Sequence, residues 1–247
     1  MALFGRSTET DLLAALVDGV RTGGVRGGGV RAGGGAVLVR GAPGIGKSAL
    51  LADIADLPSS PILVGHSFGG MIAQKLLGQD LAAAAVAIDA AQIKGVLPLP
   101  LSALRATLPV FKNPANKHKA VSLTAEQFRF AFGNALSEEE SDALYQRWTI
   151  PAPGKPLFEA AAGNFNPHAP TKVDTRNSSR GPLLLISGGK DHTVPESVVR
   201  ATLAQYRHSE AVTDIVDFPD RGHSLTIDGG WQVVATTVLD WLKRQSL

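Results

Sequence analysis

Short apolar runs alternate with stretches of helical periodicity over much of the chain. Residues 61–65 (PILVG), 84–89 (AAVAID), 182–187 (PLLLIS) and 212–218 (VTDIVDF) read as strands, with another at 36–40 (AVLVR). Helical spacing follows most of them, at about 47–56, 68–79, 195–206 and 230–245. Short apolar strands with little alternation are buried on both faces, and helices between them cover those faces. The pattern predicts an α/β fold with a mostly parallel sheet and flanking helices. Residues 8–20 (TETDLLAALVDGV) form a further amphipathic helix with Thr8 or Thr10 as cap. Residues 21–35 (RTGGVRGGGVRAGGG) have little to bury and much entropy to lose, and read as a linker.

Between residues 92 and 180 the alternation stops. This stretch carries helix start signals instead: Thr124 with Gln127, and Ser137 with Glu140, each read as a capping box. Three parts follow. They are an N-terminal helix and linker (1–35), an α/β core (36–91 and 181–247), and a helical insert (92–180) placed as a lid over the sheet edge. Leu97, Leu99, Leu101, Phe111, Phe128, Phe130 and Phe132 of the insert either line an apolar pocket or form the insert's own core.

Composition narrows the chemistry. The formal charge is +2 over 247 residues, and the basic residues are scattered. The densest group, Lys112 to Lys119, is broken by Asn, Pro and Ala and reads as a solvated loop, so no nucleic-acid partner is expected. There is no cysteine, which excludes disulfides, thiol nucleophiles and thiolate metal sites. No apolar run has the length of a membrane span or signal core, and a cytoplasmic protein without a membrane partner is expected. No histidine pair has metal-ligand spacing along the chain, so neither a metal nor a cofactor is expected.

Residues 65–70 read Gly65-His66-Ser67-Phe68-Gly69-Gly70. An apolar strand precedes this G-x-S-x-G and an apolar helix follows it. That setting puts a serine hydroxyl on a sharp turn at the sheet edge, near the positive end of a helix. Such a hydroxyl needs a base, and the base needs an acid to orient it. Asp191 follows the strand 182–187 in GGKDHTVP, and His223 follows the strand 212–218 in PDRGHS. Parallel strands bring all three to one edge. Asp89 also ends a strand but reads as structural, His192 as a neighbour of the acid, and His66 as a residue packed beneath the edge. His118, His168 and His208 fall in the insert or a helix and carry no assigned role.

In GHSFGG, GGKDHTVP and PDRGHS, in the order Ser, Asp, His, the chain resembles the α/β-hydrolases over about residues 57–247. The resemblance implies a serine hydrolase of the esterase or lipase kind. It would cleave a small-molecule carboxylic ester through an acyl-enzyme, with Ser67 as nucleophile, His223 as base and Asp191 as acid. It also implies an oxyanion hole, with Phe68 N–H as one donor. Family members place several strands before the serine turn, and one of these ends in a His-Gly loop that gives the second donor. That region is missing here, so the fold reads as truncated, with an exposed edge through which a homodimer would form.

What stands in its place is Gly41-Ala42-Pro43-Gly44-Ile45-Gly46-Lys47-Ser48, a full phosphate-loop pattern between a strand and a helix. Residues 4–52 resemble the start of the ATP-binding domain of LuxR-type regulators. In that reading Gly44, Gly46, Lys47 and Ser48 would hold phosphates and magnesium, with Asp89 as the one candidate for the second metal-binding acid. The N-terminus then reads as chimeric. In the hydrolase reading, Ala42 N–H takes the place of the missing oxyanion donor. A nucleotide-binding protein and an inactive hydrolase-like scaffold are the alternatives to the esterase.

Overall fold

The computed structural model describes residues 60–247. The expected strand 36–40, the helices 8–20 and 47–56, the linker 21–35 and the loop residues Ala42, Gly44, Gly46, Lys47 and Ser48 lie outside them.

The first strand, β1 (Ile62–His66), leads through Ser67 into helix α1 (Phe68–Gly78), and β2 (Ala84–Ile88) follows. The insert then supplies α2 (Leu101–Phe111), a 3₁₀ turn (Pro114–His118), β3 (Ala120–Val121), α3 (Ala125–Ala131), α4 (Glu138–Trp148), β4 (Ala152–Pro153) and α5 (Lys155–Ala161). The chain returns to the sheet with β5 (Leu183–Gly188), α6 (Glu196–Gln205), β6 (Thr213–Phe218) and α7 (Trp231–Arg244).

The main sheet has the order β1-β2-β5-β6, and every neighbouring pair is parallel. β2 and β5 are central and buried along their whole length, which accounts for their unbroken apolar sequence. Their side chains divide by parity. Ala85, Ala87, Leu183 and Leu185 pack with Met71 and Leu77 of α1 and with Val198 and Val199 of α6. Ala84, Val86, Ile88, Leu184 and Ile186 pack on the other face against Val234, Val238 and Trp241 of α7. The Trp241 indole N–H donates to Asp214 Oδ2 of β6 at 2.7 Å, so the largest buried side chain also has its polar atom paired. Truncating a leucine such as Leu184 here would cost about 2–5 kcal/mol.

All four strands run the same way, so their C-terminal ends meet at one edge. That edge carries Ser67 after β1, Asp89 after β2, Asp191 after β5 and His223 after β6.

Of the insert's two start signals, one forms a complete capping box and the other only half of one. Thr124 and Gln127 form a full capping box on α3. Ser137 accepts from Glu140 N–H, but the reverse arm is absent, because Glu140 Oε1 accepts Gly229 N–H at 2.7 Å instead. A distant backbone donor on the loop before α7 outcompetes the local one. The apolar residues also divide. Phe128 is buried within the insert, while Leu97, Leu99 and Leu101 are 76%, 62% and 84% exposed and so do not fill its core. No helix among the described residues is long and apolar enough to cross a membrane.

Candidate active site

The turn at Ser67 is tight. Its backbone has φ 55° and ψ −119°, a strained conformation for a residue with a side chain, of the order of 1–3 kcal/mol. The surrounding residues hold it there. Ser67 N–H donates to Ile88 O at 2.9 Å, and Ser67 O accepts from Ala91 N–H at 2.9 Å and Met71 N–H at 3.2 Å. Glycine is obligatory at two neighbouring positions. A Cβ on Gly65 would lie 2.1 Å from Gly69 O, and one on Gly70 would lie 2.8 Å from Ala90 Cβ. Phe68 is the first residue of α1, so its N–H has no acceptor within the helix and stands at the helix's positive end.

Asp191 and His223 meet. His223 Nδ1 lies 2.5 Å from Asp191 Oδ2, with both side chains fully buried. Asp191 Oδ1 accepts the N–H groups of Thr193 at 2.6 Å and Val194 at 2.8 Å. Burial alone would raise the Asp191 carboxyl. The charge and hydrogen bond of His223, the Val194 N–H and the neighbouring Asp89 outweigh it and hold the carboxyl below its ordinary range. A carboxylate only accepts, so His223 donates to it through its Nδ1 hydrogen. Among the described residues nothing hydrogen-bonds to Nε2. Ser67 thus stands at the same edge without a bond to His223, a looseness common in unliganded sites.

His66 and Asp89 are nearer to this pair than their places in the sequence suggest. The His66 and His223 rings lie 4.5 Å apart, centroid to centroid. Burial, and then the charge of His223, lower the His66 imidazole to about 3, so it is neutral at ordinary pH. Asp89 is completely buried, and its Oδ1 accepts Gly188 N–H at 2.7 Å. Burial, and then the negative charge of Asp191, push Asp89 well above the usual carboxylate range. One nitrogen each from His66 and His223 and one oxygen from Asp89 lie within 4.8 Å of one another. The fold thus brings together two histidines that stand far apart in the sequence.

The insert borders the site. Phe132 meets the His223 ring edge-on at 4.9 Å and stacks on Phe128 at 5.2 Å. The loop carrying Asp191 is tied to it by Thr193 Oγ1–H to Ala131 O at 2.6 Å and Asn134 Nδ2–H to Lys190 O at 2.6 Å, with His192 Nδ1 2.9 Å from Phe130 O. His192 therefore joins the acid loop to the insert. His118, His168 and His208 are exposed and take no part.

The sequence profile described as "Alpha/beta hydrolase family" matches residues 11–236. The match begins well before residue 57 and runs through the segment that resembles a phosphate loop. No curated protein sequence matches the chain. Among solved structures, an extracellular alpha/beta-hydrolase from a Paenibacillus species is similar at 19% identity, with TM-score 0.54, over 78% of this chain and 77% of that one. A pyrethroid hydrolase from Sphingobium faniae is similar at 18% identity, with TM-score 0.51, over 80% and 76%. The methylesterase MES16 from Arabidopsis is similar at 18% identity, with TM-score 0.50, over 79% and 76%. At such identities the likeness is one of fold.

Proposed function

The chain belongs to the alpha/beta hydrolase family, and from that premise we propose that it is a serine esterase cleaving small carboxylic esters by way of an acyl-enzyme. The observation that carries this reading is the buried Asp191–His223 contact at 2.5 Å on the edge where Ser67 is held in a strained turn. In the first step His223 Nε2 takes the Ser67 hydroxyl proton as Oγ bonds to the ester carbonyl carbon. The negative charge then develops on the carbonyl oxygen, in front of Phe68 N–H. The imidazolium returns its proton to the departing alcohol as the C–O bond breaks. Water, deprotonated by His223, attacks the acyl-enzyme and releases the acid and Ser67. Asp191 stays ionised throughout and stabilises the imidazolium. Phe132, against the base, forms an apolar wall for the acyl group.

The test is hydrolysis of p-nitrophenyl esters from acetate to decanoate by the wild type and by Ser67→Ala. Turnover by the wild type that falls at least about 10³-fold in the variant is expected. Activity that survives Ser67→Ala would remove the serine from the reaction, and a wild type inert on every ester would remove the esterase reading.

A further inference from the structure

Asp89 is a buried carboxyl group at this edge for which the reaction above has no use, and its surroundings are unusual. It is completely buried, and its backbone stands at φ 39°, in the left-handed region that side chains avoid. The residues on either side are bound to the nucleophile: Ile88 O accepts Ser67 N–H, and Ala91 N–H donates to Ser67 O, both at 2.9 Å. Asp89 N–H donates to Ile186 O at 2.9 Å, and its Oδ1 takes Gly188 N–H at 2.7 Å, so it also grips the strand that ends in the acid loop. Gly188 has to be a glycine for this approach, since a Cβ there would lie 3.0 Å from Asp89 Oδ2. The other oxygen, Oδ2, is buried and has no hydrogen-bond partner among the described residues.

The carboxyl group of Asp191 lies within hydrogen-bonding range of Asp89. Two carboxylates have no hydrogen to share, and like charges in contact away from water cannot both persist. One proton resolves both the repulsion and the orphaned oxygen. Asp191 is the partner that stays ionised, because two backbone N–H groups and the His223 imidazole already serve its oxygens. The groups facing Asp89 are Asp191 from the β5–α6 loop, His66 from the end of β1 and His223 from the β6–α7 loop. Among the described residues no Lys or Arg faces it to neutralise a second negative charge.

We propose that Asp89 is a positioning residue for the triad proposed above: as a neutral carboxylic acid it donates its Oδ2 hydrogen to Asp191 and holds that carboxylate against His223. The inference rests on the esterase reading for its catalytic meaning, but the proton itself can be observed without turnover. An asparagine reproduces the neutral acid, with one acceptor for Gly188 N–H and one donor for Asp191. It cannot reproduce a carboxylate.

Asp89→Asn and Asp89→Ala are compared with the wild type in two measurements. In infrared difference spectra at neutral pH, the wild type should show the carbonyl stretch of a protonated carboxyl group, and Asp89→Asn should lack it. In ester kinetics, Asp89→Asn should keep kcat within about fivefold. Asp89→Ala should lose about 10–100-fold in kcat, with KM within about twofold, because Asp191 loses its support while substrate contacts remain. An absent protonated-carboxyl band overturns the proposal. So does a kcat in Asp89→Asn as low as that of Asp89→Ala, or an unimpaired Asp89→Ala. If Asp89→Ala does not fold, the spectra and the asparagine variant still decide. A wild type that hydrolyses no ester but shows the band would sink the esterase reading and leave the shared proton standing.

Discussion

At the scale of single residues, folding moves a proton between two side chains. In the unfolded chain between about pH 4 and 6.5, His66 is protonated and Asp89 is not. In the folded protein His66, lowered to about 3, is neutral, and burial and the charge of Asp191 push Asp89 towards its protonated form. Each residue alone would make stability depend on pH. The stabilisation of neutral His66 is complete above about pH 6.5 and is lost as pH falls towards 3, because the unfolded chain then binds the extra proton. Asp89 has the opposite sign. Its folded state binds the extra proton, so stability falls as pH rises from about 4 through the folded titration. Asp191, held below its ordinary range, adds a loss only below about pH 4. In the shared window the two effects oppose each other. Removing either partner should expose the other: relative to the wild type, Asp89→Asn should gain stability with rising pH, and His66→Gln should lose it. Each slope approaches about 1.4 kcal/mol per pH unit at most. Urea midpoints at pH 4.5 and 6 test this, and parallel profiles for all three proteins would refute the exchange. None of it is legible in the sequence. Gly65-His66-Ser67 names a strand and a turn, and Asp89 merely ends a strand. Only the neighbouring C-terminal ends of β1, β2 and β5 make them one cluster.

Among the elements, the turn between β1 and α1 carries the most constraint per residue. It was also the most readable, because apolar strand, Gly-x-Ser-x-Gly and apolar helix are local features that the chain alone dictates. Gly65→Ala tests whether the packing behind the pattern matters. Its Cβ would sit 2.1 Å from Gly69 O, a backbone atom that cannot turn aside, so β1 and α1 must part and Ser67 must leave its bonds to Ile88 and Ala91. A loss of at least about 3 kcal/mol, read as a lower thermal midpoint, is expected, together with loss of most ester turnover. A variant with the wild-type midpoint would show that the turn tolerates separation. Where elements meet at a distance the sequence was less informative. Glu140 looked like half of a local capping box but bonds to Gly229, and Phe132, which could have belonged to the insert's core, lies against His223. Local patterns give a donor and an acceptor but not the competition between a near partner and a far one.

For the whole molecule, the question is which of two resemblances the first quarter of the chain follows. Residues 41–48 have every residue type of a phosphate loop, yet the alpha/beta hydrolase profile covers residues 11–236 without stopping at them. The four described parallel strands bring Ser67, His223 and Asp191 to their common edge. For nucleotide chemistry that edge offers Asp89 as the acid after β2, but Asp89 is buried and already bonded to Gly188 N–H beside Asp191. A carboxyl group in that position is committed to the hydrolase cluster and is poorly placed to take up magnesium. The hydrolase reading therefore predicts that 5 mM Mg-ATP leaves the thermal midpoint unchanged, and that Lys47→Ala changes ester kcat/KM by less than about threefold. Binding of any consequence would show itself. A ligand present at 100 times its Kd stabilises the fold by about 2.7 kcal/mol, a shift of about 5–11 °C in a chain of this length. A rise of that size, lost in Lys47→Ala, would make the loop a nucleotide site and give the chain a second ligand beside the ester. No shift, with turnover intact, would mean that the glycines of this segment serve the hydrolase fold.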